Sequence, residues 1–209
     1  MGNQLGFYID TNSCVGCKTC EIACKDKFNL SVGPRPRFVR EIHGGSWIPD
    51  EADSTLLRPE HVYSYNLSMS CGHCENPACV ANCPTGAMQK DDDTGIVWSD
   101  PDVCIGCGTC AQSCPYDAPQ LTDDDDIVHK CNLCRDLPDG ETPACVDACP
   151  MRALEVGPYD DLVAKYGDLR DMAPLPDSSQ THPHIVIAPH RSLDENAPEG
   201  YSITLYREG

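Results

Sequence analysis

Several features typical of common protein classes are missing from these 209 residues. No stretch approaches the roughly eighteen consecutive apolar residues of a membrane-spanning helix, so we expect no direct membrane span. The first residues, from Met1 to Phe7, have neither the basic start nor the apolar segment of a secretory signal peptide. We therefore expect synthesis and assembly in the cytoplasm. Any association with a membrane, or any export, would depend on a partner protein.

Positive charge is scarce in this chain. It has 15 Lys and Arg against 33 Asp and Glu, which gives a formal net charge of −18. Proteins that bind nucleic acid place many basic side chains against phosphates, so this composition argues against a nucleic-acid partner. The acidic excess is interpreted first as a solubility feature, and a salt-rich environment or an acidic docking face are the alternatives.

Large aromatic side chains are also few, with 3 Phe and 2 Trp. Such side chains contribute much of the apolar area in a protein core. Bound metal is another source of folding free energy, because the ligands are brought together only in the folded state. If metal fills that role here, the protein without it should be poorly folded.

Cysteine, in contrast, is abundant, with 16 residues in four quartets and none left over. Each quartet ends in a Cys-x3-Cys step. The most regular quartet is Cys104, Cys107, Cys110 and Cys114, followed by Pro115. This C-x2-C-x2-C-x3-C-P spacing binds 4Fe-4S clusters in bacterial ferredoxins, so it predicts a protein that transfers electrons.

The other three quartets vary that spacing. The first keeps it but has Lys25 where the proline would stand, and the second and fourth widen the middle gap by two and by eight residues. Such insertions lengthen a surface loop. The three quartets are Cys14, Cys17, Cys20 and Cys24; Cys71, Cys74, Cys79 and Cys83; and Cys131, Cys134, Cys145 and Cys149.

Disulfide bonds and zinc are the alternative uses of these cysteines. Disulfide frameworks occur mainly in short secreted chains with a signal peptide. Paired C-x2-C steps do bind zinc, and His73, between Cys71 and Cys74, is a candidate ligand. Zinc does not explain four quartets, three of which end in Cys-Pro, so iron–sulfur clusters are favoured. His73 is interpreted as a solvent-side loop residue, since the cysteines complete the quartets.

The segments around the quartets predict a repeat of short helices and hairpins. Helices are expected at residues 110–114 and 145–149, with two thiols on one face, each ended by proline. Hairpins are expected from residues 87–90 with 96–98 and from 120–121 with 127–129, around aspartate-rich turns at 91–95 and 123–126. Further strands are predicted at 6–9, 62–67 and 184–188, and a helix at 160–166.

The remaining segments carry weaker signals. His182, His184 and His190 stand in a proline-spaced segment without other metal-ligating residues and are interpreted as surface residues. The tail from Leu193 onward predicts an irregular wrap or a disordered end. No Ser/His/Asp constellation is recognisable, so we expect no catalysis by the chain itself.

Short motifs recur across nearly the whole chain. Those in and beside the quartets include Cys17-Lys-Thr-Cys20-Glu, Ser70-Cys71-Gly-His-Cys74-Glu, Cys83-Pro-Thr-Gly-Ala87-Met, Cys104-Ile-Gly-Cys107 and Cys149-Pro-Met-Arg-Ala-Leu154. Those without cysteine include Gly6-Phe-Tyr-Ile-Asp10, Ala173-Pro-Leu-Pro176 and Ile185-Val-Ile-Ala-Pro189. Together they resemble the iron–sulfur electron-transfer (beta) subunit of the dimethyl sulfoxide reductase family of molybdopterin oxidoreductases. Many ferredoxin-like subunits share the cysteine motifs. The motifs without cysteine are more specific to this family.

The resemblance implies an α+β fold of two ferredoxin-like halves related by a pseudo-twofold axis, with loop-rich insertions and a C-terminal extension. One half would comprise residues 1–61 plus 127–209 and carry the first and fourth quartets. The other would comprise residues 62–126 and carry the second and third.

The resemblance also implies four 4Fe-4S clusters with crossed ligand sets. The sets are Cys14, Cys17, Cys20 and Cys149; Cys131, Cys134, Cys145 and Cys24; Cys71, Cys74, Cys79 and Cys114; and Cys104, Cys107, Cys110 and Cys83. Since none of the sixteen cysteines is replaced, no 3Fe-4S cluster is expected.

The implied role, in anaerobic respiration, is to relay single electrons between a molybdopterin-containing catalytic subunit and a membrane anchor subunit that exchanges electrons with quinol. The first and fourth quartets would face the catalytic subunit, which could also carry the chain along if it bears an export signal. The alternative is a four-cluster partner of a hydrogenase, formate dehydrogenase or nitrite-reductase-type complex. The terminal substrate and the direction of electron flow depend on those partners.

Five basic residues lie beside the ligands in the sequence. A positive charge there would favour the reduced cluster and raise its reduction potential. The alternative is that these side chains offset local negative charge or contact a partner. They are Lys18, Lys25, Lys130, Arg135 and Arg152.

Overall fold

The computed structural model describes residues 4–121, 126–138 and 140–192. The fold mixes short helices with strands and small hairpins. Its strands are β1 Leu5–Asp10, β2 Arg37–Pro49, β3 Leu57–Ser70, β4 Met88–Lys90, β5 Val97–Ser99, β6 Gln120–Leu121, β7 Val128–His129, β8 Leu154–Pro158 and β9 Ile185–Ala188. Its helices are α1 Thr19–Lys27, α2 Ala78–Ala81, α3 Thr109–Ser113, α4 Ala144–Asp147 and α5 Tyr159–Tyr166, with a 3-10 turn at Ser178–Gln180.

A three-stranded sheet joins the start of the chain to its later segments. β1 lies in the middle, antiparallel to β8 and parallel to β9. Gly6 permits this close packing, since a Cβ atom there would lie 2.7 Å from the His184 carbonyl oxygen and 2.8 Å from Tyr159 Cδ2. α5 covers the sheet by packing Leu162 against Val186. The predicted strands at 6–9 and 184–188 and the predicted helix at 160–166 are therefore present.

A long antiparallel hairpin, β2 with β3, occupies most of the stretch between the first two quartets. Its base is buried through Phe38, Ile42 and Leu67, whereas Trp47 and Val62 near the far end are exposed. The sequence predicted only residues 62–67 of this hairpin as a strand. The strand β2 was missed, and the division of the chain at residues 61 and 62 falls inside β3.

The two short predicted hairpins are present as β4 with β5 and β6 with β7. In the turn between β4 and β5, the Asp91 carboxylate accepts hydrogen bonds from the backbone N–H of Thr94 at 2.8 Å and from its hydroxyl at 2.8 Å. Residues 122–125 of the second turn, and the tail from Leu193, lie outside the described residues.

Thiols form part of the main hydrophobic core. Cys20, Cys71, Cys131 and Cys145 pack there among apolar side chains that include Phe7.

Two histidine predictions were wrong, because His73 is 1% exposed and His184 is 6% exposed. Both are held by tertiary contacts: the Nδ1 atom of His184 lies 2.8 Å from the carbonyl oxygen of His73, so the two residues are buried together.

Candidate metal centres

Each cysteine quartet begins in a loop and ends on or just after a short helix. In the first quartet, Cys14 and Cys17 lie in the loop and Cys20 and Cys24 lie on α1. The loop curves through left-handed backbone at Gly16, with φ of 69°. A Cβ atom at Gly16 would lie 2.4 Å from Asn66 Oδ1, so the tight turn and the close approach both require glycine.

The helices pair across the sequence. α1, from the first quartet, packs against α4, from the fourth, and α2 packs against α3. The last cysteine of each Cys-x3-Cys step lies about one turn after the preceding one, on its helix or just past the end. The pairing of the helices therefore brings each last cysteine close to the partner quartet. The fold therefore brings cysteines of different quartets together.

Three cavities show this crossing directly. The first is lined by three thiols of the first quartet and one of the fourth. The second and the third combine thiols of the second and third quartets. Their cysteines are Cys14, Cys17, Cys20 and Cys149; Cys71, Cys74, Cys79 and Cys114; and Cys83, Cys104, Cys107 and Cys110.

The remaining four cysteines also approach one another. Burial raises the pKa of Cys24, and the nearby thiols of Cys131, Cys145 and Cys134 raise it further. The pKa of Cys134 is also raised by burial and by Cys145. The structure thus brings thiols of different quartets together in three cavities and in one further group, and the assignment of ligand sets stays a prediction.

The surroundings of the thiols suit bound iron–sulfur clusters. Backbone N–H groups of His73, Leu133 and Ala153 donate to cysteine sulfurs at 3.4 Å. Such donors stabilise the thiolate that a cluster needs. Burial raises the pKa of Cys79 and Cys131 to about 12, so these thiols are protonated at neutral pH unless iron is bound.

The described thiols do not form a site for a single metal ion. Four thiolates around one zinc ion, at about 2.3 Å each, stand roughly 3.8 Å apart. Among residues 4–121, 126–138 and 140–192, no three His, Cys, Asp or Glu side chains form a group that could hold one ion. A cube with iron at four corners binds thiolates that stand further apart.

The five basic residues beside the ligands mostly contact other groups. Lys130 is buried and donates from Nζ to the carbonyl oxygens of Val97 and Cys131. Arg152 donates to the Asp147 carbonyl at 2.7 Å. Similarly, Lys25 donates to carbonyl oxygens of Ser31 and Pro34, and Arg135 lies over the Trp98 ring. The effect of the five basic residues on the reduction potentials of the clusters stays a prediction.

Near the thiols, the sequence did not single out Arg37, and it assigned His73 to the surface. Arg37 is 1% exposed and lies beside Cys20, Cys131 and Cys145. His73 lies between two groups of cysteines and not at the surface. No local pattern in the sequence marks either residue, since both owe their position to contacts with distant segments.

The fold and the grouped thiols define an iron–sulfur protein for electron transfer. A family model for a 4Fe-4S dicluster domain matches residues 62–159, and a model for a 4Fe-4S binding domain matches residues 11–27. The chain is 47% identical over 191 residues to the B subunit of the anaerobic dimethyl sulfoxide reductase of Escherichia coli, covering 91% of both proteins. It is 44% identical over 189 residues to the B subunit of the same enzyme from Haemophilus influenzae, covering 90% of both.

The chain therefore belongs to the family of dimethyl sulfoxide reductase iron–sulfur subunits. A more distant relative is the thiosulfate reductase electron transfer subunit of Salmonella typhi, 36% identical over 146 residues, or 69% of this chain and 70% of that one. The chain is a non-catalytic subunit that carries four 4Fe-4S clusters and transfers electrons within a reductase complex. Within the part of the chain that the structure describes, no helix is long and apolar enough to cross a membrane.

Proposed function

We propose that the chain relays single electrons between a molybdopterin-containing catalytic subunit and a membrane anchor subunit that exchanges electrons with quinol. The observation that carries this proposal is the grouping of thiols from different quartets around shared cavities. The bound clusters supply one-electron chemistry, and the protein supplies the ligands, the spacing and the surrounding charge. The proposed terminal acceptor is a sulfoxide, as the names of the two dimethyl sulfoxide reductase relatives suggest.

We further propose that the four crossed groups of cysteines are the four ligand sets. They are called here set A (Cys14, Cys17, Cys20 and Cys149), set B (Cys131, Cys134, Cys145 and Cys24), set C (Cys71, Cys74, Cys79 and Cys114) and set D (Cys104, Cys107, Cys110 and Cys83). The packing of α1 against α4 and of α2 against α3 supports an arrangement with A beside B and C beside D. These pairs correspond to the two proposed ferredoxin-like halves.

The proposed electron path runs in the order A, B, C, D. Cys71 of set C lies close enough to Cys131 of set B to raise its pKa, although burial and Cys145 have larger effects. Sets B and C are therefore neighbours in the proposed path. Sets A and D include the exposed thiols Cys17 and Cys107, where electrons can enter and leave the protein.

Exposed apolar side chains surround both ends of this path. Val15 and Ile22 are 59% and 63% exposed near set A, and Ile105 is 63% exposed beside Cys104 and Cys107 of set D. Contiguous patches of exposed apolar side chains mark surfaces that contact other proteins. We propose that the surface around set A contacts the catalytic subunit and the surface around set D contacts the membrane anchor.

The test is anaerobic purification of the protein with its native partners, followed by metal analysis and rapid mixing. We expect molybdenum to copurify, and dithionite-reduced clusters to be reoxidised on addition of dimethyl sulfoxide. Thiosulfate in place of dimethyl sulfoxide is the comparison for the acceptor. Reduced clusters that no sulfoxide reoxidises, in a complex without molybdenum, would contradict the proposal.

A further inference from the structure

Arg37 is a fully buried cation that donates hydrogen bonds to neutral serine oxygens. It is the first residue of β2, and its side chain is 1% exposed. Its Nη1 donates to the carbonyl and hydroxyl oxygens of Ser68 at 3.2 and 3.1 Å, and its Nη2 donates to the Ser70 hydroxyl at 2.9 Å. Among the residues described, Arg37 forms no ion pair with Asp or Glu, and its Nε atom has no hydrogen-bond partner.

A buried charge of this kind is costly unless an opposite charge compensates it. Neutral serine oxygens solvate the guanidinium only in part. Its carbon lies 4.5 Å from the centre of the Phe7 ring, which adds a cation–π contact but no counter-charge. Arginine keeps its proton in proteins, so it cannot escape this cost by becoming neutral.

The groups that compensate Arg37 are cysteines, which are thiolates once a cluster is bound. Cys145, Cys131 and Cys20 lie close enough to the guanidinium to interact with its charge, and Cys145 is within hydrogen-bonding reach of it. Cys20 belongs to set A, and Cys131 and Cys145 belong to set B. The Cys20 sulfur also lies 3.4 Å from the Ser68 hydroxyl that accepts from Arg37, so guanidinium, serine and sulfur are in contact.

We propose that the positive charge of Arg37 acts on the clusters of both set A and set B. It stabilises the reduced form of each cluster and so raises both reduction potentials. One-electron reduction adds one negative charge to a cluster, and a fixed positive charge nearby favours that state. Since one guanidinium lies beside both sets, its loss should lower both potentials. This proposal rests on the ligand sets proposed above.

The test is EPR-monitored redox titration of the anaerobically purified complex with Arg37→Gln. At a fixed potential, we expect the reduced-to-oxidised ratio to fall at least tenfold for the clusters of sets A and B, a shift of about 59 mV for one electron. The clusters of sets C and D should shift much less. Arg37→Lys, which keeps the charge, should restore most of the A and B potentials.

Arg40→Gln is the matched control. Arg40 lies on the same strand, stacks over Phe38 and pairs with the exposed Asp117, so its loss should leave all four potentials unchanged. Unchanged A and B potentials in an Arg37→Gln complex with full iron would overturn the proposal. In that case the clusters and the relay would still stand, so the two proposals fail separately.

A second pair of variants decides the matter if Arg37→Gln does not retain its iron. Ser68→Asp places a carboxylate beside the guanidinium and neutralises it without removing Arg37, whereas Ser68→Asn has similar size and no charge. We expect the aspartate to lower the potentials of both A and B relative to the asparagine. A shift confined to set A, the set nearest Ser68, or no shift at all, would contradict a charge shared between the two.

Discussion

The Nε2 atom of His73 lies 3.8 Å from the Sγ atom of Cys131, although the two residues are 58 positions apart. The Nδ1 atom of His73 accepts a hydrogen bond from the backbone N–H of Val97 at 2.9 Å, so Nε2 is the nitrogen that carries the proton. Burial and then Lys130 hold the pKa of His73 well below its ordinary value, which keeps the ring neutral at neutral pH. His73 therefore aims a single N–H donor from the set C loop at a thiol of set B.

Replacing His73 by Phe should lower the reduction potential of the set B cluster. The lost hydrogen bond is worth about 1 kcal/mol, or roughly 40 mV for one electron. Redox titration followed by EPR measures the change. His182→Phe, at an exposed position, is the control and should have no effect. A set B potential equal to that of the wild type would show that the N–H does not act on the cluster.

The crossed ligand sets predict which cluster responds to each cysteine. Cys149→Ser should alter the EPR signal and potential of set A, whose other ligands lie more than a hundred residues earlier in the chain. Cys145→Ser, four positions away on the same segment, should alter set B. If both variants disturb the same cluster, each quartet binds its own cluster and the crossed arrangement is wrong.

Removing the iron should unfold the protein. Cys20, Cys71, Cys131 and Cys145 lie in the main core, so their clusters contribute to it directly. We expect anaerobic chelation to abolish the cooperative unfolding transition seen by circular dichroism. Reconstitution with iron and sulfide should restore it. A chelated protein that kept its transition would mean that the core forms without metal.

Glu21 should stabilise the helix that carries Cys20 and Cys24. Its buried carboxylate accepts from the backbone N–H of Val39 at 3.1 Å and from Arg35 Nη1 at 3.3 Å, which joins α1 to β2. Glu21→Ala leaves the Val39 N–H unpaired, at a cost of about 1–3 kcal/mol.

The measurement for Glu21 is the urea concentration at which cluster absorbance is lost. This concentration should fall for Glu21→Ala and stay within error for Glu41→Ala, whose carboxylate accepts from the exposed Ser64 hydroxyl. Equal effects of the two variants would argue against a structural role for Glu21.

Local patterns in the sequence predicted much of this fold. The β1 strand, the hairpin of β4 with β5 and the helix α5 follow from short-range alternation and turn residues, and the structure confirms them. The grouping of cysteines into fours also follows from their spacing, because cluster ligands must occur in quartets.

The features that the sequence did not predict depend on distant contacts. β2 contains Gly44, Gly45 and several charged residues, and it is a strand because it pairs with β3 along its length. His73 looked like a loop residue beside two ligands, and only the approach of Val97 and Cys131 buries it. Arg37 belongs to a residue type that is mostly exposed, so nothing local indicated its burial.

The most direct test of the account is a reductive titration of the anaerobically purified protein, with iron and acid-labile sulfide measured on the same sample. Four 4Fe-4S clusters predict about sixteen iron and sixteen sulfide per chain, with uptake of about four electrons. Markedly fewer irons, zinc in place of iron, or a protein that takes up no electrons would contradict the central claim that this protein transfers electrons through four clusters.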